Sequence, residues 1–268
     1  MRMKAWIDQI QNDGYAIVPG VLASEDADAI IGGVTPVLHH ADEAAGSLRS
    51  GDGAIFAARN VLDLWPEAAK VWRRAPIPDL LTSMLGSRYG LVRILFFDKP
   101  PEKTWSLPWH KDLTIAVKDN RIRSRHFVRP TRKAGVPHVE APLDVLENML
   151  TVRIHLDKVT GENGPMRVLP GTHRSGKRPV AGAEPARDIL VDRGDVLFFR
   201  PLLTHGSAPS RDGTDRHRRV LHLEFAASEV LPDGYRWHDF IPGIEAASEN
   251  GVSSSPVDIR SRRRPEVA

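Results

Sequence analysis

The apolar segments after residue 90 are short. Leu91–Phe97, Met149–Leu156, Ile189–Val191, Val196–Phe199 and Val220–Phe225 are three to eight residues each. Strong turn signals separate them: Lys99-Pro100-Pro101, Glu162-Asn163-Gly164-Pro165, Leu169-Pro170-Gly171 and Asp212-Gly213. Runs of this length between Gly and Pro punctuation read as strands. Their irregular spacing predicts antiparallel pairing, closed into a barrel or jelly roll.

The first 90 residues read differently. Residues 3–12 form an amphipathic helical pattern, and Gly14–Gly20 reads as a short strand. Ser24 caps a helical pattern that runs on through residue 44 with acids near its start. Residues 66–86 suggest a further helix ending at Gly86. The expected fold is mainly β with flanking helices: a double-stranded β-helix (jelly roll, cupin-like barrel). One domain spans 1–250, with a helical part at 1–90 and the barrel at 91–228. Residues 251–268, rich in Ser, Arg and Pro, are expected to be a disordered tail.

The chain has no cysteine, which removes disulfides, thiolate zinc sites, iron–sulfur clusters and cysteine nucleophiles. A metal site must therefore use His, Asp or Glu. Net charge is only +3, and the basic excess is local, at 118–133 and 260–264. Neither stretch interleaves aromatics on a stacking face, so no nucleic-acid partner is expected. No apolar run approaches the ~18 residues of a membrane span, and the start lacks a signal-peptide pattern. A cytoplasmic monomer or homodimer acting on a small molecule is the expectation.

Trp109-His110-Lys111-Asp112 carries a His and an Asp two residues apart. On a strand, positions i and i+2 share a face, so both side chains can reach one cation. His205, directly after the strand that ends at Phe199, is the best third ligand. Two His and one carboxylate on one face of an ion form the facial triad of non-heme iron(II) oxygenases, which leaves positions open for a chelating co-substrate and dioxygen. 2-Oxoglutarate is such a co-substrate, and its far carboxylate needs a fixed cation, for which arginine's planar fork is suited. Arg218 and Arg219 open the strand Val220–Phe225, and periodicity does not choose between them. Ser207 shares the face of His205 if the extended conformation continues.

The order of these motifs resembles the phytanoyl-CoA dioxygenase family over roughly residues 10–228. The matching features are Gly14-Tyr15-Ala16-Ile17-Val18-Pro19-Gly20, Phe97-Asp98-Lys99-Pro100-Pro101, Trp109-His110-Lys111-Asp112, the long block Asn163–His173, His205-Gly206-Ser207 and Arg218-Arg219. The resemblance implies that Arg218 holds 2-oxoglutarate and that Leu95 and Arg153 lie near it or near the substrate. It also implies that Asp112, which halogenating relatives replace with a small residue, points to hydroxylation, or to a desaturation or ring closure, and away from halogenation. Arg93, Thr151 and Trp109 are expected at the substrate. His155 and His222 are read as satisfied barrel histidines, His173 as shaping its loop, and His39 and His40 as surface residues. The basic segment 118–133 reads either as a lid that captures an anionic substrate or as a solvated loop.

The implied function is an iron(II)/2-oxoglutarate-dependent dioxygenase that hydroxylates a small molecule, with an anionic one favoured by the interior arginines. Two alternatives stand beside it: a cupin-like metal enzyme that does not use 2-oxoglutarate, and a non-catalytic metal- or ligand-binding barrel.

Overall fold

Gly14 ends the first helix, α1 (Arg2–Asp13), at φ 85°, a left-handed cap that glycine adopts without a side-chain clash. The chain then enters β1 (Tyr15–Val18), α2 (Ser24–His40), β2 (Ser47–Arg49), β3 (Ile55–Ala58) and the short α3 (Val61–Leu64). After α4 (Ile77–Leu85) come β4 (Gly90–Phe97), β5 (Leu107–His110), β6 (Thr114–Ala116), β7 (Val128–Lys133) and β8 (Val136–Glu140). Then follow α5 (Leu143–Glu147), β9 (Met149–His155), β10 (Met166–Val168), β11 (Arg187–Asp188), β12 (Val196–Phe199), β13 (His205–Ser207), β14 (Val220–Ala226) and β15 (Ile241–Pro242). This computed structural model describes residues 1–41, 46–49, 55–101, 104–180 and 185–243. The expected tail, 251–268, lies outside the described residues, as do 42–45 of the expected helix.

The major sheet runs β1-β12-β9-β14-β4-β3-β2, with β15 added on β4. Every pairing in it is antiparallel. A second sheet, β11-β10-β13-β5, and a third, β6-β8-β7, complete the β structure. This is the expected mainly β, jelly-roll type of fold.

Alternation gives the major sheet two unlike faces. On β14, Leu221, Leu223 and Phe225 point outward into the largest core, with α2 (Val34, Leu38), α4 (Leu80, Leu81) and Trp72. Trp72 meets Phe225 edge-on at 5.1 Å between ring centroids. The helices thus seal the apolar face, where each large side chain contributes roughly 1.5–3 kcal/mol of burial. The inner face carries His222 and Glu224 on β14, Arg93 and Leu95 on β4, and Thr151 and Arg153 on β9, held in register by the ladder. The polar face lines a cavity inside the fold.

Four sequence expectations need correction. Residues 1–90 hold more strand than expected: besides the expected strand, β1, which pairs with β12, β3 pairs with β4 and β2 with β3, so this part supplies three strands to the major sheet. The helix expected over 66–86 is broken into a 3-10 turn at Pro66–Lys70 and α4, because Pro76 and Pro78 cannot occupy a helix interior. The basic segment 118–133 is not wholly a loop. Its second part forms β7, joined to β8 through Ala134 (φ 45°) and Gly135 (φ 78°), the left-handed pair that a tight hairpin turn requires. The strand expected at 189–191 is displaced: pairing falls at Arg187–Asp188, and Val191 makes an isolated bridge to Val159. No helix among the described residues is long and apolar enough to cross a membrane.

Candidate metal centre

β13 and β5 are paired so that His205 stands directly opposite His110. Their rings lie 4.3 Å apart between centroids. Asp112 sits just past the end of β5, not on a strand as expected, but the extended backbone preserves the alternation. Lys111 points the other way, where its Nζ donates to Thr172 O (2.7 Å), Ser175 Oγ (2.9 Å) and Gly176 O (2.7 Å). That anchor fixes the backbone between the two flanking side chains. Gly206 allows the close approach of β13, since a Cβ there would stand 2.8 Å from the Leu107 carbonyl oxygen.

One ligand atom from each of His110, Asp112 and His205 lies within 4.8 Å of the other two. His110 Nε2 is 3.7 Å from Asp112 Oδ1, and His205 Nε2 is 3.5 Å from Asp112 Oδ2. Each Nδ1–H donates to a carbonyl two residues back, Pro108 O and Leu203 O, both at 2.8 Å. These bonds orient the rings and leave both Nε2 lone pairs facing the carboxylate. Burial lowers the His205 pKa to about 4, so the imidazole is neutral near pH 7 and able to ligate. Burial works against the Asp112 carboxylate, but His205, His222 and His110 overcome it and hold its pKa below the ordinary value. Asp112 Oδ2 is buried with no hydrogen-bond partner. A buried carboxylate oxygen left unpaired between two aimed imidazole nitrogens fits a divalent cation, and the N₂O donor set suits non-heme iron(II).

The triad opens onto a cavity between the two larger sheets. At one end Lys99 Nζ donates to Ser207 Oγ (3.1 Å), Gly164 O (3.2 Å) and Ala208 O. Arg218 lies beside it, and the backbones of Lys99 and Arg218 exchange both N–H···O bonds. The Trp105 ring lies against both cations, 4.6 Å from Lys99 Nζ and 5.8 Å from the Arg218 guanidinium carbon. Gly164 (φ +69°) forms the turn over Lys99, where a Cβ would come within 2.8 Å of Nζ. Burial, reinforced by Arg218 and Arg153, lowers the Lys99 pKa to about 6. Burial, then Arg153, lowers that of Arg218 to about 9. Arginine stays protonated in proteins, so Arg218 carries a buried positive charge that Asp98 only partly offsets, while the lowered pKa of Lys99 lets its amine stand neutral near pH 7. Among the described residues no carboxylate lies within ion-pair distance of Arg218 or Lys99. Arg219 points to the opposite face, bound bidentately to Asp157 at 2.9 and 2.7 Å.

The middle of the cavity is lined by Leu95, Arg153 and His222. Arg153 Nη2 donates to His222 Nδ1 (3.0 Å), which leaves the His222 Nε2–H directed at Glu224, 3.6 Å away. His222 is therefore satisfied, as expected, but it is also a wall of the site. His155 lies outside that wall, with Nδ1 3.3 Å from Asp195 O. His173 contacts Gln11 O through Nε2 (3.2 Å), and His39 and His40 are exposed. At the far end stand Arg93, Glu224, Arg59 and Lys133.

The structure thus brings His110, Asp112, His205, Ser207, Arg218, Leu95, Arg153 and Arg93 to one cavity. It does not bring Trp109 or Thr151 there. Trp109, one residue from His110, is turned outward by the same alternation, is 40% exposed, and lies under the Arg167 guanidinium at 5.5 Å. Thr151 shares the inward face and pairs with Glu224 and Phe199 but does not line the cavity. Trp105, Phe97, Met166, Glu224, Arg59 and Lys133 are lining residues that the sequence reading did not assign, and Lys99 stands behind the lining residue Ser207. Lys99 was within reach, since it continues the inward parity of Leu95 and Phe97 and falls in a quoted motif. Arg59 and Lys133 arrive from distant segments and carry no local signal.

Residues 10–219 match the family described as Phytanoyl-CoA dioxygenase (PhyH). Human peroxisomal phytanoyl-CoA dioxygenase is 24% identical over 61% of this chain and 48% of its own length. The Rattus norvegicus protein of that name is 22% identical over 72% of this chain and 54% of its own length. The chain therefore spans about half the length of the curated relatives it matches. Among solved structures, EctD from S. alaskensis with bound Fe superposes with a TM-score of 0.64 at 18% identity, covering 82% of this chain and 75% of that one. The α-ketoglutarate-dependent carbocyclase SnoK from nogalamycin biosynthesis superposes with a TM-score of 0.59 at 17% identity, covering 83% of each chain.

Proposed function

This chain belongs to the phytanoyl-CoA dioxygenase family, and from that membership we propose that it is an iron(II)- and 2-oxoglutarate-dependent dioxygenase hydroxylating an unactivated C–H bond of a small molecule. The observation that carries the reading is the pairing of two unfilled needs in one cavity. His110, Asp112 and His205 converge on a cation position, and the Arg218 end presents a buried guanidinium that makes no ion pair among the described residues and whose Nε has no hydrogen-bond partner.

Iron(II) and 2-oxoglutarate, bound together, supply the activation of dioxygen, with oxidative decarboxylation to succinate and carbon dioxide. The chain's own residues hold and orient. His110 and His205 present unprotonated Nε2 atoms because their Nδ1 protons are committed to backbone carbonyls. Asp112 supplies the anionic oxygen that balances the metal's charge. Arg218 supplies the fixed guanidinium for the distal carboxylate, with Lys99 and Ser207 beside it. Leu95, Phe97, Met166 and Val220 give the apolar walls that exclude water from the reacting carbon.

A cupin-like enzyme that did not use 2-oxoglutarate would have no need of the Arg218–Lys99 end, and a non-catalytic barrel would have no need of the triad. The test is 2-oxoglutarate consumption and succinate formation by iron-loaded protein under air, in the presence of a small-molecule library. Stoichiometric succinate that disappears in Asp112→Ala supports the reading. Substrate turnover that continues without 2-oxoglutarate refutes it.

A further inference from the structure

The two cationic ends of the cavity are separate sites. Arg218 and Glu224 are six residue steps apart along the strand direction, about 20 Å of extended backbone. A five-carbon diacid held at Arg218 and reaching the triad does not also reach the Arg93–Glu224 pair. The far end therefore faces whatever else enters the cavity.

That end is short of negative charge. Arg93 meets Glu224 only at 3.5 Å, and the same carboxylate is shared with His222 at 3.6 Å. Arg93 is 8% exposed, and its Nη2 is buried without a hydrogen-bond partner. Lys133, the last residue of β7, donates to a neutral group, Thr114 Oγ1, at 2.9 Å. Arg59 lines the same wall from the end of β3. Burial lowers the pKa of both Arg59 and Lys133, and Arg93 lowers each further. With Asp112 committed to the triad, Glu224 is the one remaining carboxylate among the described residues that line this end with the three cations. A buried guanidinium nitrogen aimed into a cavity without a partner calls for an acceptor from outside the chain.

We propose that Arg93, with Arg59 and Lys133, forms a subsite for an anionic group of the primary substrate, a carboxylate or a phosphate, and so fixes which carbon lies against His110, Asp112 and His205. This rests on the oxygenase reading and adds the substrate's charge to it. An uncharged analogue would leave the buried cations unpaired, so discrimination comes from desolvated charge and not from shape.

The test uses full-length protein loaded anaerobically with iron(II) and saturating 2-oxoglutarate. Hexanoate, hexyl phosphate and hexanamide are titrated calorimetrically as probes. The expected result is that hexanoate, hexyl phosphate or both bind at least about tenfold more tightly than hexanamide. Arg93→Met erases that preference. Lys133→Met, at the half-buried rim and away from the Arg93–Glu224 pair, reduces it by a smaller factor. The ranking of the two anions identifies the group. The proposal is overturned if the amide binds as tightly as both anions, or if the preference survives both substitutions. A 2-oxoglutarate titration in the same samples separates the two failures. Parent protein that does not bind 2-oxoglutarate overturns the oxygenase reading together with this subsite; parent protein that binds it and shows no anion preference overturns the subsite alone.

Discussion

Replacing Arg218 with Met should make the ligand-free protein more stable and a poorer binder of 2-oxoglutarate. Arg218 is 3% exposed, its Nε has no hydrogen-bond partner, and its nearest charged neighbours include Lys99 and Arg153. Burial drives its pKa from 12.5 to about 9. At about 1.4 kcal/mol per unit, that sets an upper bound of roughly 5 kcal/mol on the cost of holding the charge there. Met keeps most of the apolar stem, so about 1–3 kcal/mol of the cost should be recovered after relaxation. For a domain of this size that is a rise in melting temperature of about 2–4 °C per kcal/mol. With 2-oxoglutarate present the sign reverses, because losing one partner of a buried charged pair costs about 2–5 kcal/mol, or roughly 30-fold to several-thousand-fold in affinity. Differential scanning calorimetry of metal-loaded protein under anaerobic conditions, with and without 2-oxoglutarate, reads both effects. An Arg218→Met protein that is less stable than the parent without 2-oxoglutarate, or that keeps the parent's stabilisation on adding it, would show that Arg218 is a structural residue.

Arg219→Ala should do the opposite. It breaks the bidentate contact with Asp157, costing about 1–3 kcal/mol of stability, while calorimetric 2-oxoglutarate affinity stays at the parent value; a drop in affinity comparable to that of Arg218→Met would contradict the face assignment. Gly206→Ala places a Cβ 2.8 Å from Leu107 O, so overpacking of about 1–3 kcal/mol should part His205 from His110. Thermal melts and iron(II) titration should both worsen, and unchanged values in both would mean that the β5–β13 seam yields freely. His155 carries a pH dependence. Burial lowers its pKa from 6.5 to about 3, so between those values the unfolded chain takes up a proton that the folded chain excludes. This contribution is fully present above about pH 6.5 and falls as pH drops toward 3, by at most about 1.4 kcal/mol per unit. Urea denaturation at several pH values should show a shallower decline in His155→Asn, and an identical slope in both proteins would remove His155 as the cause.

The triad was legible because its physics is local. His110 and Asp112 are linked by two-residue alternation, and His205 follows a strand end, so the ligand types and the fold class came from the same pattern. The oxoglutarate arginine was not legible from periodicity. Helices cover the outer face of the major sheet, so the apolar parity of β14 (Leu221, Leu223, Phe225) is the outside and the parity of Arg218, His222 and Glu224 is the inside. Family resemblance pointed to Arg218; the structure places Arg218 at the cavity and Arg219 on the other face, paired with Asp157. Trp109 was misplaced because proximity in sequence to His110 puts it on the opposite face of a strand. The far subsite was invisible because Arg59, Arg93 and Lys133 come from β3, β4 and β7 and meet only through the sheet pairings. The helix expected at 66–86 ignored its own prolines, and β7 was hidden by charge, an exposed edge strand carrying Arg and Lys.

The most direct test is an anaerobic titration of iron(II) and then 2-oxoglutarate, followed by calorimetry and visible absorption, in the parent and in Asp112→Ala, His205→Ala and Arg218→Met. Stoichiometric iron binding in the parent is expected, with a charge-transfer band that appears only when 2-oxoglutarate is added. The two triad variants should lose the iron, and Arg218→Met should keep the iron but require far more 2-oxoglutarate to develop the band. Iron binding undiminished in both triad variants, or a parent spectrum that 2-oxoglutarate leaves unchanged, would contradict the assignment of His110, Asp112 and His205 as an iron(II) site open to that co-substrate.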